Sequence, residues 1–242
     1  MKILEDSKNN IWISSFRWMT RFDGKNWKTW ITGSDFSAFP AITSFDIDGN
    51  DVVWMFSSDG IGKIENDEYS VVSLVGSGIV SQNSFVKVDN SNQVWVAIQN
   101  EGIYKYNGVE FVNYNTENSC LPTDTITAIS FDSENNAWLS SHIGLIKFNL
   151  NSCELYQPDG NEQALLTLEY VSDNEIWCGS YYNGKLLKFN GSTFESIELS
   201  NSPLKSNDIT HIYAGNDNVW VGTSENIVMR SEERRVGKEC AT

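Results

Sequence analysis

Apolar residues along this chain fall in short runs separated by polar turns, and the runs themselves repeat. The stretch ITAISFDSENNAWLSSHIGLIKFNLNSCELYQP, residues 126 to 158, is one whole copy, with four apolar segments and Trp138 at its centre. Trp12, Trp54, Trp95, Trp177 and Trp220 hold the same place in their own copies, so the six tryptophans follow one another at intervals of 42, 41, 43, 39 and 43 residues. Such regularity marks a repeat architecture, in which each copy buries its apolar faces against the next.

The segments around the tryptophans, NNIWIS, DVVWMF, NQVWVAI, NNAWLSS, NEIWCGS and DNVWVGT, are too short for helices and read as strands. Three residues before each tryptophan stands Asn9, Asp51, Asn92, Asn135, Asn174 or Asp217, and Asp6, Asp48, Asp89 and Asp132 stand six before in four copies. Asn and Asp tolerate left-handed backbone and bond their own turn, so this spacing predicts a tight hairpin into the tryptophan strand. The acidic residues invite a calcium reading, but no loop of the calcium-binding type closed by glutamate is present, and turn chemistry explains them better.

Apolar strands precede these hairpins at Met1 to Glu5, Ile42 to Ile47, Phe85 to Val88, Ile126 to Phe131, Leu165 to Val171 and Ile209 to Tyr213. A third strand follows, with a basic residue (Arg21, Lys63, Lys105, Lys147, Lys188) before a large apolar one, and a fourth carries bulky residues three apart, as in Trp27 and Trp30 or Phe111 and Tyr114. Each copy is thus a four-stranded antiparallel meander, which cannot cover its own faces. Packing such sheets around an axis gives an all-β fold, a β-propeller of about six blades, over residues 1 to 229. Residues 230 to 242 break the pattern: Met229 and Arg230 replace the basic and aromatic pair, and the basic tail is expected to be non-repeat sequence at the end of a fragment of a longer protein.

With 242 residues, 40% of them hydrophobic, the chain is long enough for a substantial core. A formal charge of −15, from 32 acidic against 17 basic residues, makes nucleic acid a poor partner. No apolar run reaches the length of a membrane span. Cys120, Cys153, Cys178 and Cys240 form no CxxC pair, so neither zinc nor another metal or cofactor is expected. A Cys120–Cys153 bridge is one pairing among those the count allows, and nothing in the spacing selects it. Cys178 follows a repeat tryptophan where other copies carry Ile13, Met55, Val96, Leu139 or Val221, which reads as a small buried hydrophobe.

The pattern NNIWIS…RFDGKNWKTW, the NSCLP and NSPL loops, and the D…NxxW hairpin resemble the two-component regulator propeller repeat. That family supplies extracytoplasmic sensor regions of bacterial hybrid sensor kinases and related surface proteins. The resemblance implies a ligand-binding propeller, a periplasmic or extracellular location and a small-molecule or oligosaccharide ligand. Full propellers of the family generally have seven blades, whereas this chain holds five complete copies and a partial sixth.

Propellers bind in the loops joining second to third strands and fourth to first strands. The former turn irregular here, with Phe16, Arg17 and Trp18 in the first copy, His142 in the fourth, and Tyr181 and Tyr182 in the fifth. Aromatic faces with a polar edge suit sugar rings, and Arg17 suits an anionic group such as a uronate or sulfate. The alternative is that these side chains cap neighbouring blades. Phe36 and Phe39 are weaker candidates. Catalysis has little support, since His142 and His211 lie 69 residues apart and neither sits in a nucleophile or metal motif. A non-catalytic ligand-binding module is the leading expectation; a protein-interaction scaffold, or a dimer through the propeller face, and a polysaccharide-active enzyme are the alternatives.

Overall fold

The computed structural model describes residues 2–15, 17–31, 42–57, 60–73, 84–159, 164–180, 185–197, 209–214, 218–223 and 227–231. All regular structure among them is β-strand. The first repeat gives β1 (Lys2–Glu5), β2 (Ile11–Ser15), β3 (Trp18–Phe22) and β4 (Trp27–Ile31), and the second β5 (Ser44–Ile47), β6 (Val53–Ser57), β7 (Gly60–Glu65) and β8 (Glu68–Ser73). The third gives β9 (Phe85–Val88), β10 (Val94–Ile98), β11 (Gly102–Tyr106) and β12 (Phe111–Tyr114), and the fourth β13 (Ile126–Phe131), β14 (Ala137–Ser141), β15 (Gly144–Phe148) and β16 (Cys153–Tyr156). The fifth gives β17 (Leu165–Ser172), β18 (Glu175–Ser180), β19 (Leu186–Phe189) and β20 (Phe194–Ile197), and the sixth β21 (Ile209–Ala214), β22 (Asn218–Thr223) and β23 (Ile227–Ser231).

Each repeat forms one antiparallel meander; five have four strands, and the sixth has three among the described residues. The side-chain pattern lapses at Met229, but the ladder does not. Trp220 lies opposite Met229 and Asn218 opposite Ser231, because backbone pairing needs neither the basic nor the aromatic side chain.

The strands fall into two compact units, Met1–Gln157 with the first four sheets and Pro158–Thr242 with the last two. In the first, β1 packs on β5, β5 on β9 and β9 on β13, so consecutive sheets stack through their first strands; in the second, β21 packs on β17 and β18. These are the blades of a β-propeller. Strands β6, β10 and β14 are buried along their whole length, which is why they lack apolar–polar alternation.

Four of the repeat tryptophans, Trp12, Trp54, Trp95 and Trp177, pack on the sheet that follows. Trp12 joins Phe45, Val53, Met55 and Ile64, Trp54 joins Val86, Val94 and Val96, and Trp95 joins Leu139, Ile146 and Phe148. In the second unit Trp177 meets Ile209, Ile212, Val219 and Val221. In the five four-stranded sheets the indole faces the repeat's basic residue across its own sheet, with the charged end over the ring at 5.4 Å for Arg21, 5.8 Å for Lys63, 4.7 Å for Lys105, 5.2 Å for Lys147 and 5.1 Å for Lys188.

The aspartate six residues before the tryptophan builds the hairpin. Asp6 Oδ1 accepts the amides of Lys8 and Asn10, and its Oδ2 accepts Trp12 Nε1 at 2.9 Å. Asp48 treats Asn50, Val52 and Trp54 alike, as does Asp89 with Ser91, Gln93 and Trp95. Asn9, Asp51, Asn92 and Asn135 take the left-handed position, with φ of 62°, 62°, 63° and 65°. The fifth repeat lacks the aspartate, and Glu175 replaces it from inside the strand. Its carboxylate accepts Trp177 Nε1 at 2.8 Å and pairs with Lys188 at 3.2 Å.

The left-handed residues also latch one sheet to the one before. Asp51 accepts the Ser7 amide and hydroxyl, each at 2.8 Å. Asn92 Oδ1 accepts the Gly49 amide at 2.6 Å, and Asn135 Oδ1 accepts the Asn90 amide at 3.0 Å while its Nδ2 donates to Ser91 Oγ. A disulfide joins Cys120, before β13, to Cys153 in β16. Cys178 is buried and reduced, and burial pushes its thiol pKa upward.

Candidate functional site

The turns between second and third strands obey a local rule. β7, β11 and β15 open on Gly60, Gly102 and Gly144, with φ of 100°, 81° and 136°. Side chains are excluded there: a Cβ on Gly102 or Gly144 would collide with the carbonyl oxygen of Tyr114 or Tyr156 on the fourth strand. Ser57 and Ser141 close two of these turns by donating to the carbonyls of Gly60 and Gly144, at 3.3 and 2.8 Å.

Trp18 stands where those glycines stand. It lies opposite Ser15 as Gly60 lies opposite Ser57 and Gly144 opposite Ser141, and it enters β3 without a left-handed backbone. The residue is 37% exposed. Arg17 beside it is exposed, its amide 3.4 Å from Ser15 Oγ. The first turn has thus given up the glycine and presents an indole and a guanidinium to solvent.

His142 occupies the corresponding turn of the fourth sheet and is exposed, with Nδ1 3.4 Å from Thr123 Oγ1 on the loop before β13. Arg17, Trp18 and His142 therefore share one kind of position, the second turn of a sheet. Phe16, Tyr181 and Tyr182, with Phe36 and Phe39, lie outside the described residues. His211 sits in β21 opposite Gly222 and is exposed there.

A second feature lies at the other ends of the strands, beside the β1–β2 turn. Between the first and second sheets a cleft of about 400 Å³ is lined by Lys8, Asn10, Trp12, Asn50, Ile64 and Asn66, among others. Its carboxylates are internally engaged. Burial alone would raise the pKa of Asp67, but Lys28 at 3.1 Å and Arg21 at 2.5 Å hold it below the usual carboxylate range. Asp51 pairs with Lys8 at 3.0 Å, and the backbone amide of Ser7 leads the contacts that lower its pKa.

Sequence reasoning missed this cleft. The signal was present at Ile64, which stands where the other complete repeats have Phe22, Tyr106, Phe148 and Phe189. Tyr106 packs on Trp54 at 5.5 Å between ring centroids, and Phe148 on Trp95 at 6.3 Å. Trp12 stacks on Trp30 of its own sheet at 5.3 Å and receives the smaller Ile64 from the following one, and both Trp12 and Ile64 line the cleft.

No family model matches the sequence, and no curated protein matches it. Solved structures do. The extracellular domain of the one-component system BT4673 from B. thetaiotaomicron aligns with a TM-score of 0.74 at 18% identity, over 96% of this chain and 34% of that one. A catalytically inactive virginiamycin B lyase from Staphylococcus aureus, with quinupristin, aligns at 0.77 and 14% identity, over 95% and 78%. PorZ, a bacterial surface component of the type-IX secretion system of Porphyromonas gingivalis, aligns at 0.71 and 14% identity, over 94% and 37%. At these identities the likeness establishes the propeller fold. The chain spans about a third of the length of the BT4673 domain.

Proposed function

We propose that this chain is a non-catalytic, ligand-sensing β-propeller module that binds an oligosaccharide carrying anionic groups. The observation that carries the reading is Trp18: an exposed indole at a position where the equivalent turns need glycine, next to an exposed guanidinium. A side chain that breaks a local rule without gaining burial suggests selection for contact with something outside the chain. The indole offers a flat face to a sugar ring, and Arg17 a fork for a uronate or sulfate. Phe16 and His142 are the accompanying candidates in the first unit, and Tyr181 and Tyr182 those of the second.

A periplasmic or extracellular location, in a bacterial signalling or surface protein, fits this reading. The Cys120–Cys153 disulfide favours an oxidising compartment, and the BT4673 neighbour is an extracellular domain. A protein-interaction scaffold is the second reading. It is favoured by Tyr213, Trp220 and Ile227 on the last sheet, which are 63%, 42% and 72% exposed.

A thermal-shift screen of the full chain against glycosaminoglycan and plant-wall oligosaccharides tests the proposal. The expected outcome is a saturable rise in Tm with an acidic oligosaccharide, and a loss of at least about tenfold in affinity in Trp18→Ala, the scale of an aromatic hot spot. Uniform silence across the screen would favour the scaffold.

A further inference from the structure

The cleft between the first and second sheets is the feature that the ligand reading above leaves unused. Its floor is Trp12, 3% exposed, and Ile64, 2% exposed, so the ring offers no open face for stacking. Its walls are polar, and their charges cancel locally. Asp51 is met by Lys8, Asp67 by Arg21 and Lys28, and Glu65 by Lys63 at 2.7 Å. Asp6 spends its oxygens on Trp12, Asn10 and the turn amides.

What remains free to meet a guest is a set of carboxamides. Asn50 and Asn66, both exposed at the rim, have no side-chain hydrogen bond within the described residues, and Asn10 uses only its Nδ2, on Asp6 at 2.8 Å. Asn66 is held in place by the β7–β8 turn, where it and Asp67 both take positive φ, 51° and 68°. Carboxamides donate and accept at once, which is what vicinal hydroxyls require. An ionic guest would have to break an existing ion pair, whereas a neutral one can hydrogen-bond to groups that lack partners.

We propose that this cleft is a binding site for a small neutral polyhydroxylated molecule, a cyclitol or a single neutral sugar ring, held by Asn10, Asn50 and Asn66 above an Ile64 floor. About 400 Å³ lies within the range of small-molecule clefts. The site arises from one departure from the repeat. Where Tyr106 and Phe148 pack on Trp54 and Trp95, the cleft beside Trp12 is lined by the smaller Ile64.

The test is isothermal titration of the full chain with myo-inositol, glucose and N-acetylglucosamine, beside glucuronate and spermidine as charged probes. Saturable binding of at least one neutral probe is expected. Ile64→Phe, which restores the ring the other repeats carry, should weaken it at least tenfold while leaving the melting transition in place. The double variant Asn50→Ala with Asn66→Gly should do the same without touching the floor, and glycine suits the positive φ. Trp18→Ala should leave it unchanged, which separates this site from the one at the second turns. Silence with all three neutral probes, binding confined to the charged probes, or full affinity in Ile64→Phe would overturn the assignment.

Discussion

Two kinds of residue position carry more constraint than their size suggests. Gly144 combines a φ of 136° with the close approach of the Tyr156 carbonyl, so both backbone and space exclude a side chain. Gly144→Ala is expected to destabilise the protein by more than about 1 kcal/mol, read as a drop in the urea midpoint at unchanged m-value. Asp6 and Asp132 are the second kind. Burial by itself would raise both pKa values, but hydrogen bonds from Trp12 and Asn10 in one case, and from Asn136 with Lys147 in the other, hold them below the ordinary range. A carboxyl whose folded pKa is depressed stabilises the fold above its unfolded pKa, near 3.9, and loses that contribution as pH falls through the folded value. Urea midpoints should therefore stay level from about pH 7 to 5 and fall below about pH 4. The fall should be shallower in Asp6→Asn.

At the scale of the element, the strands were legible because each is bracketed by its own turn chemistry, and aspartate, left-handed residue and tryptophan keep fixed offsets. The ends were read less well: β5 opens at Ser44, two residues after the apolar run begins at Ile42. Glu175 could not be foreseen as the replacement for the missing aspartate, because it acts from two residues before Trp177 rather than six. The latch was hidden too. It depends on which backbone amide of the preceding sheet faces Asp51, Asn92 or Asn135, and that is set by stacking. Asn92→Gly keeps the left-handed backbone but removes the acceptor for the Gly49 amide, and should cost about 1 kcal/mol by equilibrium denaturation. A neutral result would mean that water replaces the side chain there. Trp18 was singled out from the sequence as an aromatic on a turn, but its conflict with the glycine rule emerges only from strand register. Ile64 escaped notice because its partner, Trp12, is 52 residues away in the neighbouring repeat.

At the scale of the whole molecule, the disulfide closes a long segment, with a sequence separation of 33 between its cysteines. In the chain-entropy account a loop of that size contributes about 3 to 4 kcal/mol. Replacing Cys120 and Cys153 together by Ser should lower the melting temperature of the full chain by several degrees, and reduction of the unaltered protein should reproduce the loss. Equal melting curves would mean that β16 is held by packing alone. The latches have one further consequence, for how the protein ages. At Asp51 a carboxylate receives both the amide and the hydroxyl of Ser7, the arrangement that Asn90 and Ser91 offer to Asn135. Slow hydrolysis of the Asn135 carboxamide to aspartate therefore yields a group the architecture already accommodates two sheets earlier, at Asp51, with Ser91 free to turn from acceptor to donor. Chemical wear at that seam converts one working fastening into another.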